Sequence, residues 1–188
     1  AGSGLPLFVI PGGGLNATVA GLATHAFNPL EEFSDHYRVI ALDLRNAVGS
    51  QAEGPLEIER TWDAFTDDQL ALLDHLGVDR FLVMGFCIAG PMIWNLLKRA
   101  GDRVMAATLV HPSGYISSHP DIYYNNNMQK WAPEFTQRHP EVTMEMASEF
   151  LHNMYTRRAD FVFTVDRDFV RQCETPVLVL PDDIPAHP

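Results

Sequence analysis

Cys87 sits among small residues in Gly85-Phe86-Cys87-Ile88-Ala89-Gly90, a spacing that can hold a nucleophile on a sharp turn. The apolar run Phe81 to Met84 before it has the length of a buried strand, and Met92, Ile93, Leu96 and Leu97 after it fall on one side of a helix. Strand, small-x-nucleophile-x-small, helix is the pattern of a nucleophile elbow. The small residues are required because the turn is strained and because strand and helix pass close to each other there. Serine is the usual nucleophile at such a turn. A cysteine brings a thiolate, which the N-terminus of the following helix favours and which is intrinsically a strong nucleophile. Its expected reaction is attack on the carbonyl carbon of an ester, lactone or thioester, forming an acyl-enzyme thioester. The structural alternative is a buried cysteine that only packs.

The elements that must position this turn recur along the chain. Leu5 to Ile10 is a first buried strand candidate and ends in Pro11-Gly12-Gly13-Gly14. A short helix over Pro29 to Phe33 precedes a second strand, Arg38 to Leu42, which ends at Asp43. Trp62, Phe65, Leu72, Leu73 and Leu76 recur at helical spacing, with Gly77 as a C-terminal stop. The elbow strand and a helix to about Ala100 follow, then a fourth strand, Val104 to Val110, and a fifth, Pro176 to Leu180. Apolar runs without alternation predict strands covered on both faces, and their alternation with helices predicts an α/β fold with a parallel sheet. Tyr115 to Glu174 interrupts this rhythm with Trp131, Phe135, Met144, Met146, Phe150, Leu151, Met154 and Tyr155, and helices are expected over Glu141 to Arg157 and Asp166 to Cys173. That segment is either a helical decoration of the core or a lid over an apolar substrate.

Bulk properties narrow the function classes. The 188 residues suit one domain with a modest insertion, and 46% hydrophobic against 20% charged residues is a globular balance. A net charge of −11 disfavours nucleic acid and anionic membrane surfaces as partners. No apolar run approaches the length of a membrane span, and the N-terminus lacks the charged and apolar regions of a signal peptide, so a cytoplasmic location is expected. Cys87 and Cys173 provide neither a disulfide framework nor zinc spacing, and the eight histidines form no ligand pair of the H-E-x-x-H kind. Neither a metal nor another cofactor is expected.

Four segments in this order resemble the α/β-hydrolase superfamily over nearly the whole chain. Pro11-Gly12-Gly13-Gly14 resembles its oxyanion loop, with Pro11 where a histidine is common. Asp43-Leu44-Arg45-Asn46-Ala47-Val48-Gly49-Ser50 resembles the D-x-R-G-x-G-x-S stretch, with Asn46 in place of a glycine. Asp67 to Gly77 resembles the helix leading into the elbow strand, and Gly85 to Gly90 is the elbow. The resemblance implies a doubly wound parallel sheet of about five strands in the order 2-1-3-4-5, with 1–114 and 175–188 as core and 115–174 as an inserted helical cap. It also implies that the family's earliest strands and its last strand are missing.

The site residues follow from that resemblance. The N–H groups of Ile88 and of Gly13 or Gly14 hold the oxyanion, contributing on the order of 3 kcal/mol each. A catalytic acid follows the fifth strand, at Asp183 in preference to Asp182. The base is expected to be a histidine on a missing C-terminal segment or second chain, with His187, after the last strand, as the alternative within this sequence. Cysteine elbows in the family resemble those of dienelactone hydrolases and polyester-granule synthases, and the length of the chain favours the former. The expected activity is hydrolysis of a small ester, lactone or thioester. An acyltransferase on the same cysteine and a non-catalytic binding protein are the alternatives.

Overall fold

The computed structural model describes residues 1–157 and 160–181. Five strands, β1 (Leu5–Ile10), β2 (Tyr37–Ala41), β3 (Phe81–Phe86), β4 (Val104–Val110) and β5 (Val177–Leu180), form one parallel sheet in the order β2-β1-β3-β4-β5. The order reverses direction between β1 and β3, the switch point at which such sheets leave a crevice beyond the strand ends.

Central strands lack alternation because both of their faces are buried. On β1, Phe8 and Ile10 join one core cluster, while Leu7 and Val9 join another on the opposite face. The first cluster is built under α2 (Thr61–His75) and α3 (Ala89–Ala100), where Met92, Ile93 and Leu96 are fully buried. Each such side chain stabilises the fold by about 1.5–3 kcal/mol relative to exposure. Asn95 ties the two helices together by donating to Asp63 Oδ1 at 3.0 Å and Thr66 Oγ1 at 2.9 Å. Just past the end of α2, Gly77 has a φ of +65°, a left-handed stop. The opposite face carries the four-residue helix α1 (Pro29–Glu32), capped by Asn28, with Phe27 and Phe33 beside it. β5 departs from the expected double coverage, since Leu178 is 54% exposed and Val179 and Leu180 are also exposed, in keeping with its place at the sheet edge.

Between β4 and β5 come α4 (Ile122–Arg138), α5 (Met144–Tyr155) and α6 (Arg167–Gln172). The helix expected from Glu141 starts at Met144, because Thr143 caps it by accepting from Met146 N at 3.2 Å. α6 is capped likewise by Asp166, which accepts from Phe169 N at 2.8 Å. α4 was not anticipated: Asn125-Asn126-Asn127 and the internal Pro133 all oppose helix formation. Tertiary contacts overrule them, through buried Trp131, Ala132 and Phe135. Indole donors seal this segment to the core, with Trp62 Nε1 donating to Met154 O at 3.1 Å and Trp131 Nε1 to Asn46 O at 3.3 Å. Asn46 has φ +64°, which explains how it stands where the resembling motif has glycine. Among the described residues, no helix is long and apolar enough to cross a membrane, and no group of three His, Cys, Asp or Glu side chains could hold a metal ion.

Candidate active site

β3 continues through Phe86, two residues beyond its expected end, and the chain turns at Cys87 with φ +52° before α3 begins at Ala89. A residue with a side chain is strained in this left-handed region and stays there only when its surroundings fix it. Three backbone bonds do so. Cys87 N donates to Val110 O at 3.1 Å, and the Cys87 carbonyl accepts from Gly90 N at 3.0 Å and Ser113 N at 2.9 Å. The flanking glycines are sterically required. A Cβ on Gly85 would overlap the Cβ of Ala89 and come to 3.0 Å from Ile10 O, and one on Gly90 would lie 2.5 Å from Pro112 Cβ. Cys87 is thus held at the head of a twelve-residue helix, where the first backbone N–H groups have no intrahelical acceptor.

The pairing of Ile10 with Gly85 brings the glycine loop level with the elbow on the neighbouring strand. A Cβ on Gly12 would lie 3.0 Å from Phe86 Cβ, which shows how closely loop and elbow approach. Gly13 and Gly14 take φ values of +123° and +62°, conformations that suit glycine. Cys87, Ile88, Gly13 and Gly14 therefore come from adjoining strand ends. Asp183 and His187 lie outside the described residues, as does Asp182.

Several neighbours of Cys87 were not anticipated from the sequence. Ser113 Oγ lies 3.4 Å from Cys87 Sγ, and Ser113 is only 4% exposed. The Tyr123 hydroxyl on α4 hydrogen-bonds to Ser113; burial raises its pKa above the usual phenol value, the Ser113 bond opposes this in part, and the charge of Cys87 adds to the rise. Tyr155 on α5 is buried, and its hydroxyl, bonded to the Asn127 side chain, is pushed far up by burial first and by the Cys87 and Tyr123 charges next. Asn127 also donates to Tyr123 O at 2.8 Å, and its Oδ1 is the nearest atom to a Cβ placed on Gly14, at 3.9 Å. An aromatic group of Trp62, Tyr123, Tyr155 and Phe163 backs this wall, with centroid separations of 5.5–6.0 Å. Ser113 had a readable signal, because it comes three residues after the end of β4 and β4 borders the elbow strand. Tyr123 and Asn127 had none, since their helix was unforeseen.

The His25 ring stacks on Phe86 at 4.6 Å, and His111, with φ +37°, lies 5.8 Å from Phe86 and 6.5 Å from the His25 ring. Burial lowers the pKa of His25, opposed in part by its hydrogen bond with the Gly12 backbone. A cavity of about 420 Å³ opens beside Ser113, with Tyr115, Phe161, Val162 and Arg167 among its walls.

The fold agrees with a family-wide pattern, since residues 6–181 match the model of the alpha/beta hydrolase fold. The chain belongs to the α/β-hydrolase family. Among its relatives, epoxide hydrolase 3 of Xenopus tropicalis is 32% identical over 103 residues, a match covering 52% of this chain and 28% of that protein. Carboxylesterase YbfK of Bacillus subtilis is 30% identical over 106 residues, covering 55% of this chain and 33% of that one. The match therefore spans about a third of the length of these curated relatives. Among solved structures, the meta-cleavage product hydrolase of Pseudomonas fluorescens IP01 superposes with a TM-score of 0.65 at 18% identity, covering 95% of this chain and 72% of that one. The enol-lactonase of Burkholderia xenovorans LB400 gives 0.62 at 18% identity, covering 95% and 73%. These likenesses concern the fold.

Proposed function

We propose that this α/β-hydrolase is a hydrolase of small esters, lactones or thioesters that works through a Cys87 acyl-enzyme. The observation that carries the reading is the left-handed backbone of Cys87 on a strand-to-helix turn. Strain of that kind, fixed by three backbone bonds and two glycines that tolerate no Cβ, is the mark of a site built to present a side chain. A carboxylesterase among the relatives and an enol-lactonase among the structures of like fold favour ester and lactone bonds.

The Cys87 thiolate attacks the carbonyl carbon. A sulfur–carbon bond forms and the carbonyl electron pair moves onto oxygen, which the N–H groups of Ile88 and of Gly13 or Gly14 receive. Collapse breaks the bond to the leaving group, which takes a proton from the base. Water then adds to the thioester carbonyl, giving its proton back to the base, and the carbon–sulfur bond breaks to release acid and thiolate. The base is His187, oriented by Asp183, or a histidine outside this sequence. Residues 115–174 act as the cap, with Tyr123 and Asn127 reaching the substrate side of the elbow.

Exposure to an activated acyl ester is expected to add one acyl group at Cys87, seen by intact mass and peptide mapping. Cys87→Ala is expected to abolish the adduct and to lower turnover by at least about a thousandfold, the scale of losing a nucleophile. Turnover that survives Cys87→Ala would overturn the proposal.

A further inference from the structure

We propose that Ser113 and Tyr123 are positioning residues for the Cys87 thiolate, a two-hydroxyl chain in which Tyr123 donates to Ser113 Oγ and Ser113 donates to the sulfur. This rests on the reading of Cys87 as nucleophile and extends it to how the anion is held. The geometry is specific. Ser113 Oγ is 3.4 Å from Cys87 Sγ, inside hydrogen-bond range for sulfur, and the Tyr123 side chain bonds to the same serine. The serine cannot wander. Its own N–H is bound to the Cys87 carbonyl at 2.9 Å, and the preceding Pro112 packs against Gly90 so closely that no Cβ fits between them. A serine hydroxyl has one proton and two lone pairs. A thiolate can only accept, so the serine proton points to sulfur and a lone pair remains for the tyrosine proton.

Two consequences follow from the direction of the chain. Each donor polarises the next, so a buried pair binds an anion better than the serine alone. Tyr123 must remain protonated to play its part, and burial next to Cys87 keeps it so. The chain also links core and cap, because Ser113 follows β4 while Tyr123 rides on α4. Among the described residues, the other titratable groups near the elbow include Tyr155 on α5 and, around the Phe86 ring, His25 and His111. They are common to the parent and every variant below.

The test is the pH dependence of iodoacetamide alkylation, followed at Cys87 and Cys173 in one sample by peptide mass spectrometry, with melting curves to confirm folding. Ser113→Ala is expected to move the Cys87 profile upward by about one pH unit and to slow alkylation near neutrality about tenfold, as loss of a hydrogen bond to a charged group implies. Tyr123→Phe keeps ring and volume and is expected to move the profile in the same direction by less, slowing alkylation about threefold. The double variant should match Ser113→Ala alone, since Tyr123 acts through the serine. Cys173 should be unaffected throughout. A reactive Cys87 whose profile ignores Ser113→Ala overturns the hydroxyl chain and leaves the nucleophile standing. Additive effects of the two substitutions overturn it as well. Cys87 labelling no faster than Cys173 in the parent protein overturns the nucleophile and the chain together.

Discussion

Cys87 and Cys173 are both half-buried thiols at junctions between a helix and a strand, yet the junctions run in opposite directions. Cys87 ends a strand and opens a helix, so its sulfur meets the N–H end of α3. Cys173 closes α6 ahead of β5, and its sulfur lies 3.8 Å from the Thr175 carbonyl oxygen. The helix dipole favours an anion at the first position and disfavours one at the second. The backbones differ too. Cys87 has φ +52°, whereas Cys173 has φ −66° and ψ +116°, an ordinary extended conformation. Accessibility is therefore not what separates a candidate nucleophile from a bystander in this chain. Strand-to-helix polarity and enforced strain are.

If the elbow is held by close backbone approach, adding one methyl there should be costly, and adding it elsewhere should not. Gly85→Ala is expected to destabilise the protein by about 2–3 kcal/mol, because Ala89 and Ile10 O already occupy the space. Gly90→Ala should cost a similar amount through Pro112. Gly101→Ala meets nothing within 4 Å and has φ −62°, so urea unfolding should show no loss and a gain of about 0.4–1 kcal/mol. Equal tolerance at the three glycines would remove the steric side of the contrast.

That contrast was legible in the sequence on one side only. Gly85, Cys87 and Gly90 announced the strand-to-helix turn because such a turn restricts residue type, and the apolar runs announced the strands because both faces of β1 and β3 are buried, whereas their order came from the resemblance to the family. Asn46 was a visible departure whose meaning required its φ. The wall opposite the sulfur was not legible. Tyr123 and Asn127 sit on a helix that local propensity argues against, with Pro133 inside it, and only packing of Trp131 and Phe135 explains it. A stacked histidine such as His25 leaves no pattern either, because its partner Phe86 lies sixty-one positions away.

Strain itself can be measured by exchanging both cysteines for glycine and alanine. At Cys87, glycine relieves a left-handed backbone that alanine must still endure, so Cys87→Gly should be more stable than Cys87→Ala by about 1 kcal/mol. At Cys173 the order should reverse, because glycine there only adds freedom to the unfolded chain, making Cys173→Gly less stable than Cys173→Ala by about 0.5–1 kcal/mol. Unfolding curves in urea for the four variants give the two differences. The same sign at both positions would mean that Cys87 carries no special backbone strain.

The smallest effect concerns the pH response of the ring stacked on Phe86. His25 stacks on Phe86, and its Nε2 is buried with no hydrogen-bond partner among the described residues. Burial holds its folded pKa below the ordinary histidine value, so between the two values the unfolded chain binds a proton that the native chain refuses. Stability from this residue is thus fully present above about pH 6.5 and is lost as pH falls from there toward the folded value. His25→Phe keeps a ring on Phe86 and removes the proton. On moving from about pH 7.5 to about pH 5.5, the parent is expected to lose about 1 °C more in Tm than the variant does. Thermal unfolding at the two pH values measures this directly, and equal losses in the two proteins would show that the stacked histidine does not couple the elbow to pH.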